Sequence, residues 1–279
     1  MGAIRDLAEG FWHTFANMTV LRAYNALINA RQVGIAPAWP MDYDEPDVVY
    51  DDTLAFTAGD VRLELHHARG ETDDHTWIWW PERLRAMSHL APELLIPGHG
   101  VPIVGRDRVR QALDETAEWL ETLEHETVAR MNAGATLDTV LAEVRPPAHL
   151  AERPYLQAVY DEPDYVVRNV WRLYGGWWDG VASHLKPARE REIGREVARL
   201  AGGVERLVAR ARELAAAGDL ALASHLVDWA AAAEPEGRGV HAARAAIYEA
   251  RARDAGALMT RGIFSAAARE SAGRAGEGA

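Results

Sequence analysis

The ten residues His66-His-Ala-Arg-Gly-Glu-Thr-Asp-Asp-His75 carry three histidines and three acids directly after a stretch of alternating polarity. Imidazole and carboxylate together suit zinc, iron or manganese. A loop at a strand end is also where an α/β layer carries its site residues. A second such place is Pro97-Gly-His99-Gly100, a histidine between two glycines. Lacking side chains, those glycines let backbone approach an ion or substrate closely. Taken alone, each loop reads first as a solvated surface turn, since such His/Asp loops more often are that than a metal site. If the strand runs through them, His66 and His67 point to opposite faces, so at most one faces a given site. His89 falls in an expected helix and reads as a surface residue. No phosphate-binding glycine loop, nucleophile elbow or zinc-protease motif is present.

The elements that must position these loops are read from hydrophobic spacing. Leu7, Phe11, Phe15, Leu21, Tyr24, Leu27 and Ile28 predict a helix over residues 1–32. Short strands are expected over 47–50, 53–57, 61–66, 76–80 and 94–96, with a helix over 82–90. Strands interleaved with helices imply an α/β layer. Beyond about residue 104 the pattern is helical. Val109, Leu113, Thr116, Leu120, Leu123, Thr127 and Met131 form one apolar seam over 106–132, closed by Asn132-Ala-Gly134. That seam could pack within its own domain or against a second chain. Further helices are expected over about 190–201, 204–217, 220–233 and 239–254, followed by a tail of Gly, Ala, Arg and Glu. The Ala217-Gly218-Asp219 joint resembles that of a tetratricopeptide-like helical hairpin, occurring once rather than as an array. The aromatic residues of 171–178 recur at helical spacing and read as helix–helix packing. The arginines of the last helices interleave with glutamates and read as a solvated face.

Composition narrows the classes. The 279 residues suffice for one large domain or two modest ones. The absence of cysteine excludes a disulfide framework, a thiolate metal site and a thiol nucleophile. A net charge of −12 disfavours nucleic acid and anionic membranes as partners. No apolar run approaches a membrane span, and 1–15 lacks a signal-peptide core, so the expected location is cytoplasmic.

Together, Gly70-Glu71-Thr72-Asp73-Asp74-His75 and Pro97-Gly-His-Gly100 resemble the C-terminal half of a metallo-β-lactamase fold. Met131-Asn-Ala-Gly-Ala-Thr-Leu-Asp138, Arg153-Pro-Tyr-Leu156, Val167-Arg-Asn-Val170 and Tyr174-Gly-Gly-Trp-Trp-Asp-Gly180 resemble the helical dimerisation region of alkyl sulfatases. So do the Ala201-Gly-Gly203 turn and the 217–219 joint. This resemblance implies an αββα sandwich whose edge holds two metal ions, commonly zinc, with a metal-bound hydroxide attacking a sulfate ester. It implies that Glu71 and His99 are metal ligands. Asp73, Asp74, His75 and His67 would then act as supports for the ligands or as substitutes for them.

The chain departs from that family in two places. The His-x-His-x-Asp-His motif is absent from these residues, as though the chain began after it. No acidic turn that could bridge two ions follows residues 76–80 either. Two ligands fall short of the three that a catalytic zinc takes. The expected class is therefore α+β. An incomplete metallo-β-lactamase-like α/β region covers 1–104, and an amphipathic connecting helix covers 105–134. A helical, tetratricopeptide-like dimerisation domain follows over 135–268, then a flexible tail over 269–279. The functional expectation is a truncated member of the alkyl-sulfatase-like hydrolases, weak or inactive alone and homodimeric through its helices. The alternative is a non-catalytic dimerisation or protein-interaction module. An exposed apolar sheet face is expected where the absent layer would pack.

Overall fold

The computed structural model describes residues 53–58, 61–66, 81–97 and 101–276. They divide into two compact units. One holds the described residues up to 158 together with Glu162–Leu185; the other holds Val159–Asp161 and the residues from Lys186 onward. The units cut across the domain ranges read from sequence, because 105–134 falls in the same unit as the strands before it.

In the first unit, β1 (Thr53–Ala58) and β2 (Val61–His66) form an antiparallel hairpin with Thr53 opposite His66 and Ala58 opposite Val61. Helix α1 (Pro81–His89) precedes a second antiparallel pair, β3 (Leu94–Leu95) and β4 (Ile103–Val104). These lead into α2 (Arg106–Asn132), whose 27 residues match the span the apolar seam predicts. At 1.5 Å per residue, α2 is about 40 Å long, so it serves two cores in succession. Val109, Leu113, Ala117 and Leu120 pack with Leu84 of α1 and with Leu95 and Ile103. One turn further on, Leu123 packs with Val140 of α3 (Leu137–Glu143), with Val144, and with Val167 and Trp171 of α4 (Pro163–Gly175). The seam is thus consumed within its own unit.

Two stretches of this unit leave large apolar side chains at the surface. Leu94, Ile96, Val101 and Val104 are more than half exposed while Leu95 and Ile103 face the core. Large apolar side chains therefore stand exposed beside the β3–β4 pair. In the aromatic segment, only Trp171 is buried; Tyr174, Trp177 and Trp178 are exposed, which corrects the reading of the whole run as internal packing. The reason is that α4 stops at Gly175, so Trp177 and Trp178 leave the helical face that Trp171 occupies, while Tyr174, still on α4, gives its hydroxyl to Glu124. A four-residue helix, α5 (Ala182–Leu185), closes the segment.

The second unit is all helix: α6 (Glu190–Ala201), α7 (Val204–Ala216), α8 (Leu220–Ala233), α9 (Arg238–Asp254) and α10 (Leu258–Ala275). The first four match their expected spans to within a residue. Helix α10 corrects the tail expected over 269–279, since it continues to Ala275. Its buried positions are Gly262, Ala268 and Ser271, too small to register as an apolar seam, yet their size lets α9 approach closely. The backbone N–H groups of Leu258 and Met259, which have no partner within the helix, donate to the carbonyls of Val159 and Tyr160. At the 217–219 joint, Gly218 takes φ +88° and Asp219 caps α8 by accepting from the Leu222 N–H at 3.1 Å, which gives the antiparallel hairpin expected there.

The core of this unit is built mostly from alanine and valine, with Ala198, Ala211, Ala223 and Ala230 around Leu207, Val227 and Ile247. Small side chains pack tightly only if backbones come close, and α6 does so at Gly194. A Cβ there would overlap the Trp229 carbonyl oxygen and lie 3.2 Å from the Ala233 nitrogen, both backbone atoms of α8. In an isolated helix, Gly to Ala gains about 1 kcal/mol. Here the clash with rigid backbone wins. Gly194→Ala is expected to lower stability by about 2 kcal/mol, read as a fall in the urea midpoint. A converse case lies on α2, where the Thr127 hydroxyl is fully buried without a hydrogen-bond partner. Thr127→Val removes that unpaired group at nearly constant shape and should raise stability by about 1 kcal/mol in the same titration.

Candidate functional site

Glu71, Asp73, Asp74, His75, His67 and His99 lie outside the described residues, as do the helix expected over 1–32 and the strands expected over 47–50 and 76–80. His66 ends β2, and His89 ends α1. Among the described residues, no three His, Asp or Glu side chains converge in the manner a metal ion needs. What the described residues do bring together are polar networks, each inside one unit.

The first centres on Glu115, on the polar side of α2. Arg153 donates from Nη2 to Glu115 Oε1 at 2.8 Å and holds Nε 2.7 Å from Oε2. The Tyr155 hydroxyl donates to the same carboxylate, and Gln111 adds a bond of 3.0 Å. One carboxylate, 16% exposed, therefore clamps the loop carrying Arg153-Pro154-Tyr155 onto a helix some 40 residues earlier. Burial pushes the Glu115 carboxyl up. The bonds from Tyr155, Gln111 and Arg153 outweigh it and leave the group below its ordinary value. Tyr155 is pushed up to about 12, by burial and by the carboxylate it donates to.

A second clamp holds the turn after α4. The Leu137 N–H, in the unsatisfied first turn of α3, donates to the Asp179 carbonyl at 2.9 Å. Gly180 sits at φ +90° with its would-be Cβ 3.2 Å from the Thr136 backbone, so only glycine fits there. Trp171 Nε1 donates to the Trp178 carbonyl at 2.9 Å, and Trp178 Nε1 to that of Val181 at 3.0 Å. Asp179 accepts from the Val181 N–H and pairs with His184 Nδ1 at 2.5 Å. The hydrogen bond from His184, with that of Val181, lowers the Asp179 carboxyl from its usual value. The segments 131–138, 153–156 and 174–180 thus share one structural task, which is to lock the loops onto α2, α3 and α4.

Most arginines of the second unit are exposed and several pair with glutamates, as the sequence reading expects; Arg244 and Arg251 depart from it. The Arg244 guanidinium is 18% exposed. It donates to Asp228 at 2.6 Å and to the Ser271 hydroxyl at 2.8 Å, and it stacks over the Tyr248 ring at 4.8 Å. Tyr248 donates to the other Asp228 oxygen at 2.6 Å; burial and that bond push its hydroxyl up to about 12. Arg251 donates to Ser224 at 2.7 Å and lies 4.1 Å over the Phe264 ring. The sequence holds Ser271, His241 and Asp228, the residue types of a nucleophilic triad, but their geometry excludes that chemistry. His241 Nε2 lies 2.7 Å from the Pro235 carbonyl, which can only accept, so that nitrogen carries the proton. Among the described residues no carboxylate bonds the ring, Nδ1 is 3.5 Å from Ser271 Oγ, and the serine is wholly buried. The network ties α8, α9 and α10 together.

A pH dependence follows from the first clamp. Because the folded Glu115 carboxyl titrates below its unfolded value, its stabilisation is present above about pH 4.3 and is lost as pH falls through the folded value. Glu115→Gln should cost about 2 kcal/mol at neutral pH and flatten the fall in melting temperature below pH 4. Thermal melts of both proteins across pH 3 to 7 check this.

Comparison with known proteins bears directly on the helical part. Residues 136–273 match the family described as alkyl sulfatase dimerisation. A linear primary-alkylsulfatase of Pseudomonas sp. (strain ATCC 19151) is 33% identical over 187 residues, covering 66% of this chain and 33% of that protein. An (R)-specific secondary-alkylsulfatase of Pseudomonas sp. is 28% identical over 158 residues, covering 56% of this chain and 24% of that protein. The matched region therefore spans a third or less of these curated relatives. Among solved structures, a stereoselective inverting sec-alkylsulfatase from Pseudomonas sp. superposes with a TM-score of 0.75 at 21% identity, over 82% of this chain and 42% of that one. The likeness in fold runs through both compact units. Residues 136–273, whose motifs are the ones that clamp the loops described above, belong to the alkyl sulfatase dimerisation family.

Proposed function

We propose that this chain serves as the self-association module of an alkylsulfatase-type hydrolase, forming a homodimer through its helical part and hydrolysing little or no ester alone. The observation that carries this reading is the match of 136–273 to a dimerisation family. That stretch covers the loop-clamped helices α3–α5 and nearly all of the five-helix unit. In this reading, residues 1–104 are the C-terminal part of a metallo-β-lactamase-like layer, with Glu71 and His99 at its metal edge. Those two residues supply two donors where a catalytic zinc takes three, so no hydrolytic step is assigned to them. The relatives act, by their names, on linear primary and secondary alkyl sulfates. A long-chain primary alkyl sulfate is therefore the substrate on which to test the proposal.

Light scattering coupled to size exclusion should give twice the chain mass of 30.7 kDa. The same preparation, purified without chelator, should release no sulfate from the primary alkyl sulfate. It should also hold well under one zinc, iron or manganese per chain. A monomer at micromolar concentration would overturn the assembly reading. About one metal per chain, lost in both Glu71→Ala and His99→Ala and accompanied by sulfate release, would show instead a catalytic site rebuilt from these residues.

A further inference from the structure

We infer that a second copy of this chain docks on the aromatic turn at the end of α4, with Trp177 as its central anchor. The inference rests on the self-association reading above and adds the surface through which it acts. Leu173, Tyr174, Trp177 and Trp178 fall within six residues and are all exposed, Trp177 at 75% and Leu173 at 59%. No other stretch of the described part of 136–273 concentrates so many large apolar side chains at the surface. The other exposed apolar face, around β3 and β4, is aliphatic and lies outside the matched residues.

Three properties suit the turn to contact between identical copies. Trp and Tyr are the residue types that dominate binding energy at interfaces. The turn is also held before any partner arrives. The bonds from Trp171 to the Trp178 carbonyl, from Trp178 to the Val181 carbonyl and from His184 to Asp179 fix the backbone directly after Trp177, and α4 itself ends two residues before it. An indole presented on a fixed turn loses little freedom on docking, which favours association. Charge selects this region as well. Two copies carrying −12 each repel over most of their surfaces. Between Pro163 and Leu185, however, Arg168 and Arg172 balance Asp164 and Asp179, so this segment carries no net charge in its own sequence. An isologous contact in which the turn meets its own copy, or the surface beside it, brings little like charge from this segment together.

The test uses the full chain. Trp177→Glu and Leu173→Glu, both at exposed positions, should each raise the dimer dissociation constant at least about thirtyfold by sedimentation velocity, with the helical circular dichroism unchanged. Leu200→Glu, equally exposed but on α6, should leave it within about threefold. Because the chain has no cysteine, single cysteines give a reading independent of those substitutions. The Arg172→Cys variant should cross-link into a dimer with a short bis-maleimide, and the Leu200→Cys variant should not. A parent chain that is monomeric overturns the self-association reading and this inference with it. The placement alone is overturned if the parent is dimeric and its Trp177→Glu and Leu173→Glu variants stay dimeric. Cross-linking of the Leu200→Cys variant without that of the Arg172→Cys variant overturns the placement in the same way.

Discussion

The first unit depends on one long stripe of apolar side chains on α2. The stripe must be buried twice, because about 40 Å of helix exceeds the reach of any single neighbour. Val109 to Leu120 bury against α1 and the short β3–β4 pair, while Leu123 to Thr127 bury against α3 and α4. A helix shared between two cores transmits position from one to the other, since neither core can slide along α2 without unpacking both. The polar side of the same helix fixes what apolar contact leaves free. Glu115 orients the 153–155 loop, Glu124 accepts from the Tyr174 hydroxyl at 2.7 Å, and Glu121 holds Arg85 of α1 at 2.8 Å. The Arg85 pair is about one-third exposed on each side. Its contribution is accordingly the modest one of a solvent-screened pair, and Glu115, less exposed and bonded by three side chains, is the stronger constraint.

The second unit solves the opposite problem. Its helices offer alanine where α2 offers leucine, so each contact buries less area and stability depends on closeness. Gly194 against the α8 backbone and the small residues of α10 against α9 provide that closeness. Close backbones leave little room for long side chains, and the Arg244 and Arg251 guanidinium groups are accommodated because each is doubly engaged, by a hydrogen-bonding oxygen and by an aromatic face. Removing Asp228 would leave Arg244 and Tyr248 without their shared acceptor. Such a network specifies one arrangement of α8, α9 and α10 among the several that alanine-rich faces would tolerate.

Legibility in the sequence followed the same physics. The bounds of α2 were readable because a seam of large apolar residues has a period, and the hairpin at 217–219 was readable because Gly and Asp have specific turn chemistry. Helix α10 was missed because Gly262, Ala268 and Ser271 carry no hydrophobic signal even though they are buried. The clamps were legible only as family-like segments: nothing about Arg153-Pro-Tyr155 says that its partner is Glu115, because the pairing is set by how α2 and the loop pack. The place of His241 has no sequence signal for the same reason, since it depends on a carbonyl and a serine brought to it by the fold. As for Glu71 and His99, their place in space is outside the described residues, and sequence remains the only ground on which they stand as ligands.

The aromatic turn shows how one misreading carries information. Helical spacing assigned 171–178 to a single buried face, and that expectation fails just where α4 ends. Gly175 closes the helix, and Gly176, at φ +78°, turns the chain, so that Trp171 stays in the core while Trp177 leaves it. Ending the helix there exposes two indoles that continuation would have had the chance to bury. A chain that then commits a glycine-specific contact at Gly180, two indole hydrogen bonds and an ion pair to holding this turn still is not merely tolerating exposed tryptophan. Fixed, apolar and without net charge of its own on an acidic chain, the turn has the properties that association demands of a surface and folding alone does not.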